Sequence, residues 1–387
     1  MSMKCWEKVS DQEYKDLINK QVVLLKFLII LGLPSMERRC LVLTQGQTHP
    51  TPAKLAAALL RYKPESVIAL LDPENAGRDA FALLQVGKGI PIVASLKDAL
   101  LLRPDTLVLG ITPSGGQLPE NWRQIILQAI SAGLNIVSGL HSFLNDDPEF
   151  ATAAQRYHVQ LVDLRKPPDD LTVNTCRARH TKTLRIHTVG TDCNCGKKVT
   201  AIEIDRALRA SGRNSVFVAT GQSGILVSGR GIALDRVVAD FVAGAAERLV
   251  LENTEYDYLC LEGQGAIIHP LYSGVTLSML HGFMPQALIL CHQPDRTIMR
   301  GTPDIPVPPL EEMIRLYEQI TAPVYPARVI GIALNLMAFP ENVVSDMIHA
   351  TEEKTGLPVT DVIRAGAGKL VDAILEFEKK LKADEQS

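Results

Sequence analysis

The stretch HTVGTDCNCGKKVT, residues 187–200, decides how this chain reads. Leu184, Ile186 and Val189 predict an apolar strand that enters a loop at Gly190. The loop closes on Gly196 and Lys197, and a helical run spans 199–210. Strand, glycine-rich loop, lysine and helix form the layout of a P-loop. Backbone N–H groups of the loop and of the helix N-terminus then converge on one spot, where the helix dipole favours an anion. Lys197 adds a point charge for a phosphate. The predicted phosphate loop comprises Gly190, Thr191, Asp192, Cys193, Asn194, Cys195, Gly196, Lys197, Lys198, Val199 and Thr200. The common pattern has four residues between its glycines and a Ser or Thr after the lysine. Here five residues separate Gly190 from Gly196, Lys198 takes the hydroxyl position, and Thr200 follows two residues later as a possible substitute.

Outward from the loop, short apolar runs recur at 215–219, 258–261, 287–291 and 329–335, with helical runs between them. One long helix is expected over 234–251, with Val237, Phe241, Ala245 and Leu249 as its core stripe, and another near 368–382. Upstream, apolar runs at 40–44, 66–72, 90–94, 105–110, 134–139 and 159–163 alternate with helices such as 119–132. Such alternation predicts parallel sheets covered on both faces. The fold class is therefore α/β, with two doubly wound parallel-sheet domains, N-terminal Rossmann-like and C-terminal P-loop-like. The Pro-Pro-Asp-Asp break near 167–170 divides the chain into 37–170 and 171–387. Residues 1–36 read as a non-essential extension, whose apolar run at 22–33 is interrupted by Lys26 and falls short of the ~20 residues a bilayer span needs.

The first domain lacks the dinucleotide fingerprint, since a single glycine, Gly46, follows its first strand. Asp72 ends the second strand, either where a ribose-binding acid would lie or as the cap of the turn into Pro73. The Pro-Ser-Gly-Gly loop at 113–116 follows another strand end and is a candidate cleft wall or a turn.

Three further segments fall at or just beyond strand ends, the ligand side of an open α/β sheet. Gly221 and Gln222 open one; Glu262, Gly263, Gln264 and Gly265 form the second; His269, Tyr272 and Ser273 lie in the third. Glu262 stands where such folds place an acid that holds Mg²⁺ or takes a proton; the alternative is that it caps its own turn. Asp192 has the same options as Glu262. His269 is a candidate acid–base group. Cys193 and Cys195 invite a nucleophile story, but small side chains that let the loop wrap a phosphate explain them better.

A net charge of −3 and 5% aromatic residues give no footprint for nucleic acid. Seven scattered cysteines form no disulfide framework or paired zinc motif, which points to a cytoplasmic protein.

The segments VGTDCNCGKK (189–198), ATGQSGILVSGRGIALDRVVADFVAGAAE (219–247) and LEGQGAIIHPLYSGVTLSMLHG (261–282) resemble the D-glutamate N-acetyltransferase-like family. The resemblance extends from about residue 40 to 375. It implies a Rossmann-like domain joined to a P-loop domain, and acetyl-CoA-dependent acetylation of the amino group of a D-amino acid, D-glutamate by family example. Glu262, His269 and Asp192 are then the candidate catalytic residues, and Tyr272, Ser273, Arg230 and Arg165 the candidate substrate-binding ones. The phosphate loop, Gly221, Gln222, Gly263, Gln264 and Gly265 would hold acetyl-CoA, with no resident metal. The P-loop domain is also similar to dethiobiotin synthetase, which implies the alternative of a Mg-ATP-dependent ligase or kinase-like enzyme with Asp192 and Glu262 as metal acids. A nucleotide-binding module without catalysis is the third reading. The expected partners are a small amino-acid substrate and, by analogy, further copies of the chain; neither nucleic acid nor membrane is expected.

Overall fold

The computed structural model describes residues 38–50, 52–111 and 118–384. The apolar run at 22–33 and the loop at 113–116 lie outside the described residues. The chain divides into two compact units, one ending at Asp163 and the other beginning at Leu164.

The first unit carries six parallel strands: β1 (Cys40–Leu43), β2 (Val67–Leu71), β3 (Ile92–Val93), β4 (Thr106–Leu109), β5 (Asn135–Ser138) and β6 (Leu161–Asp163). Their order is β3-β2-β1-β4-β5-β6. Every residue of β1 and β4 is buried, which is why these strands read as unbroken apolar runs rather than alternating ones. The order reverses at β1, so the crossover helices lie on both faces, the Rossmann-like arrangement. Asp72 sits just past β2, fully buried. Its carboxylate accepts from the Gly46 N–H (2.9 Å), the Glu74 N–H (3.1 Å), Asn75 Nδ2 (2.9 Å) and the Thr48 hydroxyl. All of these donors are the protein's own, so Asp72 caps the turn into Pro73 and pins the loop after β1.

The second unit carries β7 (Leu184–Gly190), β8 (Ser215–Val218), β9 (Tyr258–Leu261), β10 (Ala287–His292), β11 (Arg328–Leu334) and β12 (Val359–Thr360). Their order is β12-β11-β10-β7-β9-β8, again all parallel. The strand that feeds the glycine-rich loop, β7, is central and buried along all seven residues. Side chains of β10 alternate between two cores. Ala287, Ile289 and Cys291 pack with Ile204 and Leu208 of helix Lys197–Ala210 and with Leu370 and Ile374 of helix Gly368–Asp384. Leu288 and Leu290 face the opposite layer, with Met313 and Tyr317 of helix Leu310–Thr321. This period of two, applied on both faces, fixes the register and brings the C-terminal ends of β7, β8, β9 and β10 to one edge.

One expectation needs correction, and one strand was not anticipated. The helix expected over 234–251 is broken: a 3₁₀ turn, Leu234–Arg236, precedes helix Ala239–Leu251. Val237 and Val238 between them hold extended backbone, the conformation that β-branched residues favour. The buried stripe therefore shifts to Val242, Ala245, Ala246 and Leu249, and leaves Val237 and Phe241 half-buried. The edge strand β12 went unread because two residues show no periodicity. Among the described residues no helix is long and apolar enough to cross a membrane.

Candidate functional site

The loop after β7 turns into helix Lys197–Ala210 at Gly196, whose φ of 112° suits glycine and strains any other residue. No side chain caps this helix and its first turn holds no acid. Its first N–H groups have no intrahelical acceptor, so its positive end favours an anion. Lys197 is 5% exposed. Its Nζ donates to the Asp192 carbonyl at 2.7 Å and lies 3.5 Å from Cys195 Sγ. The lysine is thus folded over its own loop. Gly190 closes β7, and its carbonyl accepts from Tyr317 Oη at 2.8 Å. Thr191 Oγ1 meets His292 Nδ1 at 2.9 Å. Val199 and Thr200 turn away from the loop: Val199 packs on the core, and Thr200 Oγ1 accepts from Cys291 Sγ at 3.5 Å. The threonine hydroxyl therefore does not replace the one missing at Lys198.

Asp192 is a hub. Its Oδ1 accepts from the Cys193 N–H at 2.6 Å and lies 3.2 Å from His269 Nε2. Its Oδ2 accepts from Arg296 Nη1 at 2.8 Å and the Arg300 N–H at 2.9 Å. Burial pushes its acidity down, but the donors from Arg300, Arg296 and Cys193 outweigh that and hold the carboxyl below the usual range. His269, wholly buried, accepts the Leu271 N–H on Nδ1 at 3.2 Å. The ring proton then sits on Nε2, which faces Asp192 and the Arg300 carbonyl at 3.1 Å. Both ring nitrogens are committed, so His269 has no lone pair for a substrate proton; it positions Asp192 instead. Asp192, Cys193 and His269 each bring a potential ligand atom within 4.8 Å of the others. With Arg296 and Arg300 on its carboxylate, Asp192 suits a hydrogen-bonded network and not a cation. Burial, then the Asp192 charge, push the Cys193 thiol up, which disfavours a thiolate nucleophile.

The second cluster lies at the ends of β8 and β9. Glu262, 5% exposed, accepts the Thr220 and Gly221 N–H groups on Oε2 at 2.8 and 3.2 Å. Oε1 takes neither of these bonds and shares the Gly221 edge with Gln264 Nε2. Burial raises the Glu262 pKa, against the opposing pull of Lys198 and the two N–H donors. Gln264 Nε2 donates to the Thr220 carbonyl. Gly263 is where the turn presses on β7: its N–H donates to Thr188 Oγ1 at 3.0 Å, and a Cβ would lie 1.7 Å from the Thr188 carbonyl and 3.0 Å from Lys197 Cδ. The Gly263 N–H is therefore not a free donor. Gly263→Ala is expected to cost about 3 kcal/mol or more by overpacking against backbone. A urea unfolding midpoint equal to that of wild type would contradict this packing.

The remaining predicted residues disperse. Gln222 begins the short helix Gln222–Ser228 beside Gly221. Tyr272 stacks on His269 (ring centroids 4.8 Å apart) and precedes Ser273, the first residue of helix Ser273–Phe283. Arg165 is buried and paired with Asp235, and burial draws its pKa down to about 10. Arg230 lies over the Tyr256 ring. Asn194 holds a left-handed φ of 54° at the loop tip. Sequence reasoning missed Arg296 and Arg300; the available signal was their position just past β10, on the same sheet edge.

Parallel strands, a glycine-rich turn, a buried lysine and an uncapped helix N-terminus define a P-loop protein with an appended Rossmann-like unit. A domain of unknown function described as the DUF1611_C P-loop domain matches residues 172–371, and the DUF1611_N Rossmann-like domain matches 73–167. A D-glutamate N-acetyltransferase of Tritonibacter scottomollicae is 36% identical over 327 residues, covering 83% of this chain and 94% of that protein. One from a Pseudoalteromonas species is 38% identical over 280 residues, covering 72% and 83%. The crystal structure of a DUF1611 family protein from Anabaena variabilis superposes with a TM-score of 0.84 at 38% identity, covering 88% of this chain and 99% of that one. The chain belongs to the DUF1611 family, the D-glutamate N-acetyltransferase-like family.

Proposed function

We propose that this protein is an acetyl-CoA-dependent N-acetyltransferase acting on the amino group of D-glutamate. The observation that carries the reading is the match to two D-glutamate N-acetyltransferases along most of the chain. The loop supports it chemically. An uncapped helix N-terminus with Lys197 and Lys198 suits the phosphates of a CoA donor without a metal. The features a Mg-nucleotide site would use are absent or engaged: Lys198 replaces the hydroxyl, Thr200 faces the core, and Asp192 is bonded to Arg296.

In this reading Glu262 accepts a proton from the substrate ammonium group. The freed amine attacks the thioester carbonyl, a C–N bond forms, and the C–S bond breaks. The departing CoA thiolate takes up the second proton, which the nitrogen loses as the amide forms. The oxyanion of the tetrahedral intermediate needs N–H donors; those of Gln264 and Gly265 remain on the turn once Gly263 is bonded to Thr188. Burial matters to the base, because a carboxylate whose pKa is raised binds a proton more strongly at neutral pH.

The test is ligand-induced thermal shift with acetyl-CoA, CoA, ATP and ATP plus Mg²⁺, followed by detection of N-acetyl-D-glutamate. A ligand that binds only the folded state raises the melting temperature. A shift with acetyl-CoA and formation of the amide are expected. A shift with Mg-ATP alone, and no amide, would overturn the reading in favour of a ligase or kinase.

A further inference from the structure

Beyond β10 the chain makes a tight hairpin. The Met299 N–H donates to the Ile305 carbonyl and the Val307 N–H to the Thr297 carbonyl, each at 2.8 Å. Met299 is buried beneath it. Arg300 lies within this hairpin, and both of its main-chain groups are tied to the phosphate-loop network. Its N–H donates to Asp192 Oδ2 at 2.9 Å, and its carbonyl faces His269 Nε2 at 3.1 Å. The Cα of Arg300 is thus as fixed as the loop itself.

Its side chain is different. The residue is exposed, and its guanidinium has no hydrogen bond or ion pair among the described residues. It is close enough for its charge to act on the Cys193 thiol. The neighbouring cations are already engaged. Arg296 donates to Asp192, the Cys193 carbonyl and Gln293. Lys197 is turned onto the Asp192 carbonyl. Arg165 and Arg230, the arginines the sequence offered for a carboxylate, are held by Asp235 and Tyr256. An apolar side chain lies beside Arg300: Leu271 is 57% exposed, and its Cδ1 lies 3.4 Å from where a Gly301 Cβ would be. Ile298 is 40% exposed.

We propose that Arg300 recognises the acceptor, its guanidinium holding a carboxylate of an acidic amino acid while the apolar surface at Leu271 takes the methylene groups. Arginine presents a planar fork that matches a carboxylate through two parallel N–H···O bonds. Anchoring the main chain at both ends removes part of the ordering cost of binding. The same network that shapes the phosphate loop would then set the acceptor's distance from the donor. This inference rests on the acetyltransferase reading for the identity of its ligand, but not for the presence of a carboxylate site.

The experiment compares wild type with Arg300→Met and Arg300→Lys. Turnover is followed against D-glutamate and acetyl-CoA separately, and D-glutamate binding is read by thermal shift without a donor. Arg300→Met is expected to raise KM for D-glutamate about 10- to 100-fold, the worth of a hydrogen-bonded charge pair. The KM for acetyl-CoA should change less than about threefold by the same reasoning, and Arg300→Lys should fall between the two because it keeps the charge and loses the fork. A rise in KM confined to acetyl-CoA would overturn the proposal by assigning Arg300 to the donor's phosphates. Unchanged KM for D-glutamate in both variants would also overturn it. A D-glutamate shift that vanishes in Arg300→Met, in a wild type that forms no amide, would keep the carboxylate site and reject the acetyltransferase reading. No shift in either protein, with no amide, would reject both.

Discussion

Replacing Glu262 with glutamine is expected to lower kcat about 10²- to 10⁴-fold, the usual worth of a general base. The substitution is nearly isosteric, and the amide oxygen can still accept the Thr220 and Gly221 N–H groups that hold the side chain at 2.8 and 3.2 Å. The loss would therefore come from proton transfer and not from a collapsed turn. The pH profile separates the two. Wild-type activity should fall as pH drops through the Glu262 pKa, which burial places above the ordinary glutamate range. That limb should disappear in Glu262→Gln. Stability should move the other way. With a folded-state pKa above the unfolded one, the folded protein binds more protons between the two values. The stabilisation this gives is present below the unfolded pKa and is lost as pH rises through the folded pKa. Above the folded pKa wild type has lost it, whereas the glutamine mimics the neutral acid at every pH. Glu262→Gln is thus expected to melt no lower than wild type at a pH above the folded pKa while turning over far more slowly. Full activity with an unchanged pH profile would remove Glu262 from the role of base.

The parts of the site that were legible in the sequence are those encoded over short distances. Val189 to Lys198 announce the phosphate loop because the strand, the glycines and the lysine are contiguous, and the helix N-terminus forms wherever that order occurs. The parallel sheets were legible because strands buried on both faces, such as β1 and β7, cannot alternate and so stand out as apolar runs. What the sequence hid is direction and partnership. Thr200 is one helical turn from the loop glycine, but nothing local says that it faces Cys291. His269 looked like an acid–base group because histidine titrates near neutrality; only the Leu271 N–H on one nitrogen and the Arg300 and Asp192 oxygens at the other show both to be occupied. Arg296 lies 104 residues from Asp192 and Arg300 lies 108. Both sit in a Pro-rich stretch that reads as an ordinary loop. Their relation to the phosphate loop comes from strand order alone, because β10 lies beside β7 and delivers its following hairpin to the same edge.

Lys197→Ala is expected to raise KM for acetyl-CoA and reduce kcat/KM about 100-fold. The acetyl-CoA-induced thermal shift should vanish at ligand concentrations that saturate wild type. The size follows from the setting. Lys197 is almost fully buried, and its neighbour His187 is kept neutral at pH 7 by burial, its pKa drawn down to about 4. A hydrogen bond from a cation to a phosphate is worth about 1.5–3 kcal/mol, and a partly dehydrated site puts it toward the upper end. One factor of ten corresponds to about 1.4 kcal/mol. The bond to the Asp192 carbonyl at 2.7 Å is what a phosphate would replace, so the lysine exchanges one acceptor for a stronger one without moving far. Lys197→Arg should not rescue binding. The lysine Cδ already lies 3.0 Å from where a Cβ on Gly263 would sit, which leaves little room for a guanidinium fork. Added salt should weaken acetyl-CoA binding to wild type more than to Lys197→Ala, since screening acts on the charge that the variant lacks. An acetyl-CoA shift that survives in Lys197→Ala at unchanged midpoint would place the donor's phosphates elsewhere and leave the lysine as a strut for the Asp192 loop.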